Sequence, residues 1–263
     1  MPPKTIGFIE DLHIGSHYAP WPEEDLPADV NKFEKSRYTV KCLNHMSEML
    51  PHMNILYLVG DVIEGDNRKS QATGLHTAKL GDQVEAAITL LAPIVEKADV
   101  VIRIEGTPYH EGFQGAMNAF DKRFKVRETT QVHDLIVEGK NNLNVAHHPS
   151  GGATIYKGTS LDRENIWQSY AVAAGKVCPA RWIVRAHHHY WARFETSFKT
   201  VIQTPCFKLP DPYSKKQNYW RFQPDLGGVV MYRDELQPGN YSFRPILYDV
   251  PIPQPRNWET YTE

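Results

Sequence analysis

The sequence has few cysteines, no long apolar run and no excess of positive charge, and each absence excludes a class of protein. Its three cysteines in 263 residues form no CxxC pair, which excludes a disulfide framework and indicates a reducing compartment. No apolar run approaches the roughly 18–20 residues that span a bilayer. With 29 Lys and Arg against 31 Asp and Glu, the overall charge does not favour nucleic-acid binding.

The sequence also lacks repeats, low-complexity tracts and Gly/Ser linkers, while 41% of its residues are hydrophobic. A chain of this composition can form a core and is not expected to be disordered. The first residues, MPPKTIGFIED, have no apolar segment or cleavage site typical of a signal peptide. We therefore expect a cytoplasmic protein that makes no contact with a membrane.

Strands and helices are predicted to alternate along the first 190 residues. Apolar spacing predicts helices over 35–49 and 81–97, and further helices are expected over about 114–125 and 160–174. Apolar runs predict strands over 5–9, 54–59, 100–104, 131–138, 143–146 and 182–185. More antiparallel strands are expected over 191–196, 199–205, 227–233 and 241–249. Within the second helix, Pro93 is expected to kink the last turns or to end the helix early.

Histidine is abundant, with twelve in the chain, and five of them form the clusters 147–148 and 187–189. These clusters, like the acidic residues Asp11 and Asp61, come directly after predicted strands. In α/β sheets, ligands bind beyond the carboxyl ends of the strands. Carboxylates and imidazoles together suit Mn²⁺, Fe, Zn²⁺ or Co²⁺ better than Ca²⁺.

The spacing of these residues predicts how they could share metal ions. In the D-x-H segment, Asp11 and His13 can point to the same side and bind one ion. In the H-x-H segment, His187 and His189 can do the same, with His188 directed away. Two ions about 3.5–4 Å apart need an anionic bridge, which Asp61 could supply.

Five segments carry a resemblance to a known family. They read IEDLHIG (9–15), VGDVIEG (59–65), EGTPYHEG (105–112), NVAHHPSG (144–151) and RAHHHYW (185–191). In this order they resemble the motifs of the calcineurin-like metallophosphoesterase superfamily. The first segment is particularly similar to that of the DNA-repair nucleases in this superfamily.

The resemblance implies a four-layer α/β/β/α sandwich with two mixed β-sheets. We expect a single domain over 1–263, in which residues 1–196 form the core that carries the metal site. Residues 197–263 are expected to be a β-rich tail that completes the second sheet and forms a lid.

The resemblance also implies two divalent metal ions, with Mn²⁺ expected first and Fe, Zn²⁺ and Co²⁺ as alternatives. The ligands it implies are Asp11, His13 and His189 for the first ion, Asp61 as the bridge, and His147 and His187 for the second. Within the HHP segment, His147 fits the motif better than His148.

By the same resemblance, His110 faces the scissile phosphate as a general acid or charge stabiliser, and Glu111 is placed to orient its imidazole ring. The implied activity is hydrolysis of a phosphate ester by hydroxide held between the two ions. A phosphodiester, with nucleic acid as a candidate, is the leading substrate. The alternatives are a phosphomonoesterase acting on a phosphoprotein or small metabolite, and a metal-binding scaffold with weak catalysis.

One departure from the family concerns the second ion. The family usually has Gly-Asn-His, whereas here the segment is Gly106-Thr107-Pro108-Tyr109-His110. Thr107 stands where the asparagine would contact the second metal, and its neutral hydroxyl is a poorer ligand. We therefore expect the second ion to bind weakly or through water. Ala186 replaces the usual glycine, which is a minor change.

Residues outside these motifs are candidates for substrate binding. Tyr109 and Arg68 lie near the motifs, and the segment 208–221 interleaves aromatic residues with cations that include Lys215, Lys216 and Arg221. This segment is either a nucleic-acid contact or a Pro-rich loop packed on the domain. The basic stretch 122–127 is either a solvated helix end or a nucleic-acid contact. Two further acidic residues, Glu64 and Asp66, are expected in a solvated loop.

Overall fold

The computed structural model describes residues 1–27, 33–68, 71–112, 115–139, 141–149, 151, 156–212, 223–237 and 239–251. Within these ranges the strands are β1 (Thr5–Glu10), β2 (Met53–Val59), β3 (Ala98–Ile104), β4 (Glu128–Thr130), β5 (Val132–Glu138), β6 (Asn141–Ala146), β7 (Trp182–Arg185), β8 (Ala192–Glu195), β9 (Thr200–Gln203), β10 (Leu226–Arg233) and β11 (Tyr241–Tyr248). The helices are α1 (Glu34–Met49), α2 (Leu80–Val95), α3 (Pro108–Glu111), α4 (Asn118–Arg123) and α5 (Gly158–Ala173).

The strands form two mixed sheets. The first has the order β11-β10-β1-β2-β3-β4 and the second β5-β6-β7-β9-β8. In the first sheet β1 to β4 are parallel to one another. At one side of them, β10 pairs antiparallel with β1, and β11 pairs antiparallel with β10. In the second sheet β6, β7 and β9 are parallel, with an antiparallel strand at each edge.

The two sheets pack face to face because their strands are apolar on both faces. In β1, Ile6 and Phe8 belong to the core between the sheets, whereas Ile9 belongs to the core beneath the helices. Val145 of β6 and Val184 of β7 meet the first sheet in the same core between the sheets. Full burial of such side chains contributes about 1.5–3 kcal/mol each, so this core holds the sheets together.

Helices cover the outer face of each sheet. Leu43 of α1 and Leu91 of α2 pack in the core against the first sheet. On the other side, Leu161 of α5 packs with Ile183 and Val201 of the second sheet. The four-layer α/β/β/α sandwich with two mixed sheets is therefore confirmed.

The carboxyl-terminal tail differs from its prediction. Its strand β9 joins the second sheet, but β10 and β11 extend the first sheet, where β10 pairs with β1. The reason is the two-sided apolar pattern of β10, in which Val229 lies between the sheets and Val230 lies beneath the helices. Within the tail that is predicted to form a lid, 213–222, 238 and 252–263 lie outside the described residues. The assignment of 1–263 to a single domain stays a prediction.

Helix boundaries mostly agree with the predicted ones. The structure has α1 at Glu34–Met49 and α5 at Gly158–Ala173, close to the predicted ranges 35–49 and 160–174. Of the two outcomes expected at Pro93, a helix end at this residue is not observed, because α2 continues to Val95. Pro93 is exposed, so water can solvate the carbonyl group that loses its partner. No helix in the described part of the chain is both long and apolar enough to cross a membrane.

Candidate metal centre

The polar segments predicted from sequence meet at adjoining edges of the two sheets. Asp11 directly follows β1, and Asp61 lies two residues beyond the parallel strand β2. His147 directly follows β6 of the other sheet. The two edges adjoin, since His147 Nε2 lies 3.1 Å from Asp11 Oδ1 and 3.6 Å from Asp61 Oδ2. Side chains from both sheets therefore converge on one site.

Left-handed backbone conformations place most of these side chains. Among the six predicted ligands, positive φ angles occur at Asp11 (45°), His13 (49°), Asp61 (46°), His187 (72°) and His189 (60°). Such conformations cost on the order of 1–3 kcal/mol each outside glycine and concentrate at functional sites. Backbone hydrogen bonds hold them here, because the His13 amide donates to the Asp61 carbonyl at 2.9 Å and the Asp11 amide to the Gly60 carbonyl at 3.2 Å.

Asp11, His13 and His189 form the first group of donors. His13 Nε2 lies 3.2 Å from His189 Nε2, and Asp11 Oδ1 lies 3.4 Å from His189 Nε2 and 3.9 Å from His13 Nε2. Ligand atoms about 2.0–2.1 Å from a tetrahedral ion are separated by about 3.4 Å. These separations fit a single ion, so the predicted members of the first site are brought together.

Asp61 lies between the donor groups. Its carboxylate can join a group with His13 and His110 and another with Asp11 and His147. Although burial opposes ionisation, His147, His13 and His110 together lower the pKa of Asp61 below its usual value. An ionised carboxylate at this position has the placement that a bridging ligand needs.

The second group of donors contains one more histidine than expected. His147 and His187 lie together as predicted, and His148 lies with them, one donor atom from each being within 4.8 Å of the others. His147 is buried, while His148 and His187 are exposed. His188 has its ring stacked on Tyr190, with ring centroids 5.8 Å apart, and so departs from the site as predicted.

The expectation that Glu64 lies in a solvated loop is wrong. Glu64 is only 3% exposed, and its Oε2 lies 2.8 Å from His13 Nδ1. Lys208 Nζ donates to both of its carboxylate oxygens at 3.0 Å. The D-x-x-E spacing after β2 is the sequence signal that could have indicated Glu64. Lys208 lies in the segment that follows β9, and no local sequence pattern indicates that it pairs with Glu64.

This arrangement favours one tautomer of His13. A carboxylate beside Nδ1 favours the proton on that atom, which leaves the Nε2 lone pair directed toward Asp11 and His189. Burial lowers the pKa of His13 to about 4, and the nearby charges of Lys208 and His110 add to this shift. The ring is therefore neutral near pH 7, which is the form that binds metals.

His110 lies at the edge of the site with one ring nitrogen held by the backbone. Its Nδ1 donates to the Glu64 carbonyl oxygen at 2.7 Å, and its Nε2 lies 4.0 Å from Asp61 Oδ2. The side chain is 18% exposed. The Nε2 atom therefore faces both the donor groups and solvent, where a substrate oxygen could reach it.

The predicted role of Glu111 is wrong. Among the described residues, its carboxylate contacts are with the amides of Val62 and Gly106 and with Arg103, and the His110 ring is not one of them. Residues 110 and 111 are neighbours in the single turn of α3, where successive side chains point about 100° apart. Glu111 thus ties the turn to β2 and β3 and leaves the orientation of His110 to Glu64.

Thr107 lies beside the site but is directed toward Asp61. Its amide and its hydroxyl donate to Asp61 Oδ1 at 2.7 and 2.8 Å. To make the predicted contact with a second metal, the Thr107 hydroxyl would have to give up its hydrogen bond to Asp61. Its role in this geometry is to orient the bridging carboxylate.

The candidate substrate contacts have different outcomes. Tyr109 is 36% exposed, and its hydroxyl donates to Asn67 Oδ1 at 2.6 Å. Arg68 is 80% exposed and pairs with Asp66. Lys215, Lys216 and Arg221 lie outside the described residues.

The basic stretch 122–127 leads into β4 beside the middle of β3, where the Arg127 amide donates to the Val101 carbonyl. The candidate metal centre lies beyond the carboxyl end of β3, where Thr107 and His110 follow the strand. This position of the stretch favours the solvated helix end over a contact with substrate in the site.

Known proteins resemble this chain in structure rather than in sequence. No protein-family model matches the chain, and no curated protein matches it in sequence. A structure of Vacuolar Protein Sorting 29 from Cryptosporidium parvum has 11% identity and a TM-score of 0.47, covering 94% of this chain and 99% of that one. Wild-type Vps29 complexed with Zn²⁺ from Entamoeba histolytica has 13% identity and a TM-score of 0.45, covering 93% and 99%.

A structure described as a novel archaeal phosphodiesterase has 9% identity and a TM-score of 0.45, covering 93% of this chain and 99% of that one. Identities and TM-scores this low say nothing about the activity of this chain. The stronger observations are its own motifs, the two mixed sheets and the convergence of the motif residues on one site. In these respects the chain resembles the calcineurin-like metallophosphoesterase superfamily, while its likeness to the DNA-repair nucleases stays a prediction.

Proposed function

We propose that this protein is a phosphoesterase that uses two divalent metal ions to hydrolyse a phosphodiester. The observation that carries the proposal is the convergence of carboxylates and imidazoles from both sheets on one site, with His110 Nε2 4.0 Å from Asp61 Oδ2. The donor atoms are spaced to bind ions, and His110 adds a proton-transfer group beside them. A site that only binds metal has no need of this group.

The residues divide into ligands and a proton donor. Asp11, His13 and His189 would hold the first ion, and Asp61 would lie between the two ions. When bound, such ions supply Lewis acidity toward the phosphate oxygens and lower the pKa of water. Mn²⁺ is proposed first, with Zn²⁺, Fe and Co²⁺ as alternatives that the same donor types accept.

His110 would protonate the leaving oxygen of the substrate. The Glu64 carbonyl accepts the Nδ1 hydrogen, so Nε2 is the atom that exchanges a proton in the site. An imidazolium at this point donates its Nε2 proton and becomes neutral, with its Nδ1 hydrogen bond unchanged. The backbone contact therefore fixes the direction of proton transfer without taking part in it.

The choice of a diester is supported by the first motif and by the aromatic and cationic composition of segment 208–221. To test it, the protein loaded with Mn²⁺ is assayed on bis-p-nitrophenyl phosphate, p-nitrophenyl phosphate, DNA and RNA. We expect faster turnover of the diester. Faster turnover of the monoester, without degradation of nucleic acid, would replace the proposal by the phosphomonoesterase. Metal binding without any hydrolysis would favour the scaffold.

Substitution of His110→Ala tests the proton-donor role directly. We expect turnover of a diester with an alkyl leaving group to fall about 10²–10⁴-fold, the usual contribution of general acid catalysis. The loss should be much smaller for bis-p-nitrophenyl phosphate, because p-nitrophenolate leaves without being protonated. Metal content by elemental analysis should be unchanged.

The matched control for this variant is His52→Ala, which removes an exposed histidine paired with Asp99. It should retain wild-type turnover of both diesters. Equal losses of His110→Ala on both leaving groups would contradict the role of His110 as a proton donor.

A further inference from the structure

We propose that His148 is a metal ligand, so that three imidazoles, His147, His148 and His187, bind the second ion together with Asp61. The inference rests on the proposed two-ion function and identifies what takes the place of the family's asparagine. It extends the predicted ligand set, which contained His147 and His187 but not His148.

The geometry of the three rings supports a shared ion. Their centroids are 4.7 Å apart for His147 and His148, 4.6 Å for His148 and His187, and 5.1 Å for His147 and His187. One donor atom of each lies within 4.8 Å of the other two. The three rings thus form a nearly equilateral group, in which no pair is much closer than the others.

The position of the asparagine does not supply a competing ligand. Thr107 stands there, and both its amide and its hydroxyl donate to Asp61 Oδ1. A group formed only by Asp61, His147 and His187 would have one donor fewer than the set that the resemblance implies, in which an asparagine stands beside the bridging aspartate and two histidines. His148 supplies the fourth.

The position of His148 in the chain explains how neighbouring residues can bind one ion. Within a strand, side chains of adjacent residues point to opposite faces. Strand β6 ends at Ala146, so His147 and His148 lie beyond it and escape this alternation. His188 is the contrasting case, because its ring stacks on Tyr190 with an interplanar angle of 11° and joins none of the donor groups of the described residues.

The ligand set also determines the chemistry of the second ion. Imidazole donors suit Zn²⁺, Fe and Co²⁺, whereas Mn²⁺ prefers carboxylates and water. The second site should therefore select Zn²⁺ or Co²⁺ over Mn²⁺, and more strongly than the first site does. This selectivity differs from the Mn²⁺ that the resemblance alone implies.

The experiment is a Co²⁺ titration of metal-free wild type, His148→Ala and the matched control His188→Ala. Calorimetry gives the number of ions and their affinities, and the visible absorption of Co²⁺ reports the ligands around each ion. We expect two equivalents in wild type and in His188→Ala. In His148→Ala the weaker equivalent should bind more than about 10-fold less tightly, since loss of an outer contact to a ligand already costs that much.

The first equivalent serves as the folding control, because His13, Asp11 and His189 are untouched by the substitution. Unchanged affinity and absorption for both equivalents in His148→Ala would overturn the proposal, as would a single equivalent in wild type. The titration does not depend on hydrolysis. A wild-type protein without activity would therefore remove the proposed function and leave the assignment of His148 standing.

Discussion

The two donor groups of this site differ in how firmly the protein holds them. The first group consists of Asp11, His13 and His189, and its His13 contacts Glu64, which forms a buried ion pair with Lys208. The second, His147, His148 and His187, has two members on the surface. Ligands held by buried contacts lose less conformational freedom when an ion binds. The first ion should bind tightly, and the second should exchange more readily with solvent.

The electrostatics of the two groups differ in the same way. The Lys208 ammonium, with His13 beside it, holds the pKa of Glu64 well below its usual range despite the burial of the carboxyl. Partial burial lowers the pKa of His187 to about 4 although the ring reaches the surface, an effect that Asp11 opposes. Although burial opposes it, Asp11 raises the pKa of His147 in the same group above its usual value. The first group thus has a buried ion pair beside it, while the histidines of the second group differ in how readily they take up a proton.

The largest expected effect comes from Asp61, which lies between the two donor groups and contacts members of both. Asp61→Asn should release both ions and reduce turnover more than about 100-fold, since the ions contribute several kcal/mol to catalysis. The asparagine oxygen can still accept the two hydrogen bonds from Thr107, so the fold should persist. Elemental analysis and turnover are measured after dialysis.

The control for this variant is Asp99→Asn, the same change at a surface carboxylate paired with His52. It should keep both ions. Retention of one ion by Asp61→Asn would show that the two groups are independent and would remove Asp61 as the bridge.

A smaller effect, confined to the first group, is expected for Glu64→Gln. The first ion should bind about 10–100-fold less tightly, because the carboxylate beside His13 is lost. The free energy of unfolding of the metal-free protein should fall by about 3 kcal/mol, since Lys208 stays buried without its main counter-ion. Breaking a buried ion pair usually costs about 3–5 kcal/mol of stability. The value expected here is at the low end of this range, because an Asp211 carboxylate oxygen lies 3.3 Å from Lys208 Nζ and still partly compensates its charge. Calorimetric titration and urea unfolding measure the two effects.

Two further variants make this test specific. Asp66→Asn, in the same loop but paired with the exposed Arg68, should change stability by less than about 0.5 kcal/mol. The double variant Glu64→Gln/Lys208→Met should recover part of the stability, because it removes the second buried charge as well. Full stability of Glu64→Gln alone would mean that the pair does not support the first group.

The smallest expected effect concerns pH. The pKa of His13 is lowered to about 4 by burial, whereas the unfolded chain titrates near 6.5. As pH falls from about 6.5 toward 4, the unfolded state takes up a proton that the folded state does not. This residue's contribution to stability, complete above pH 6.5, is lost by an amount on the order of 2–3 kcal/mol.

Urea unfolding of the metal-free protein between pH 7 and 4 measures this loss. His13→Gln should show a shallower decline than wild type. His148→Ala should change the slope much less, because the His148 ring is exposed. Equal slopes in His13→Gln and wild type would contradict the burial of a neutral imidazole in the first group.

Much of the site could be predicted because its residues follow strand ends. Hydrophobic runs mark β1, β2, β6 and β7, and parallel strands bring their carboxyl ends to one edge. Asp11, Asp61 and His147 could therefore be selected from the order of residues in the chain. The helix α1 was predictable for a similar reason, since it repeats its apolar residues with helical spacing.

The residues that support the ligands could not be predicted in this way. Lys208 reaches Glu64 across 144 positions in the chain, and no local pattern connects them. The sequence motif predicts that the adjacent acidic residue Glu111 orients His110, but the turn of α3 directs that carboxylate toward Arg103. The sheet joined by β10 likewise depended on pairing with β1, which lies more than two hundred residues earlier.

The sequence by itself determined the alternation of strands and helices and the types of donor atom, because periodicity and residue chemistry are local properties. The four-layer fold was implied by the resemblance of the motifs. Only the tertiary structure decided which donor atoms lie close together, which charges lie beside them and which additional histidine joins the second group. These depend on the packing of two sheets against each other. That packing places His147 of one sheet 3.1 Å from Asp11 of the other and brings His148 beside His187.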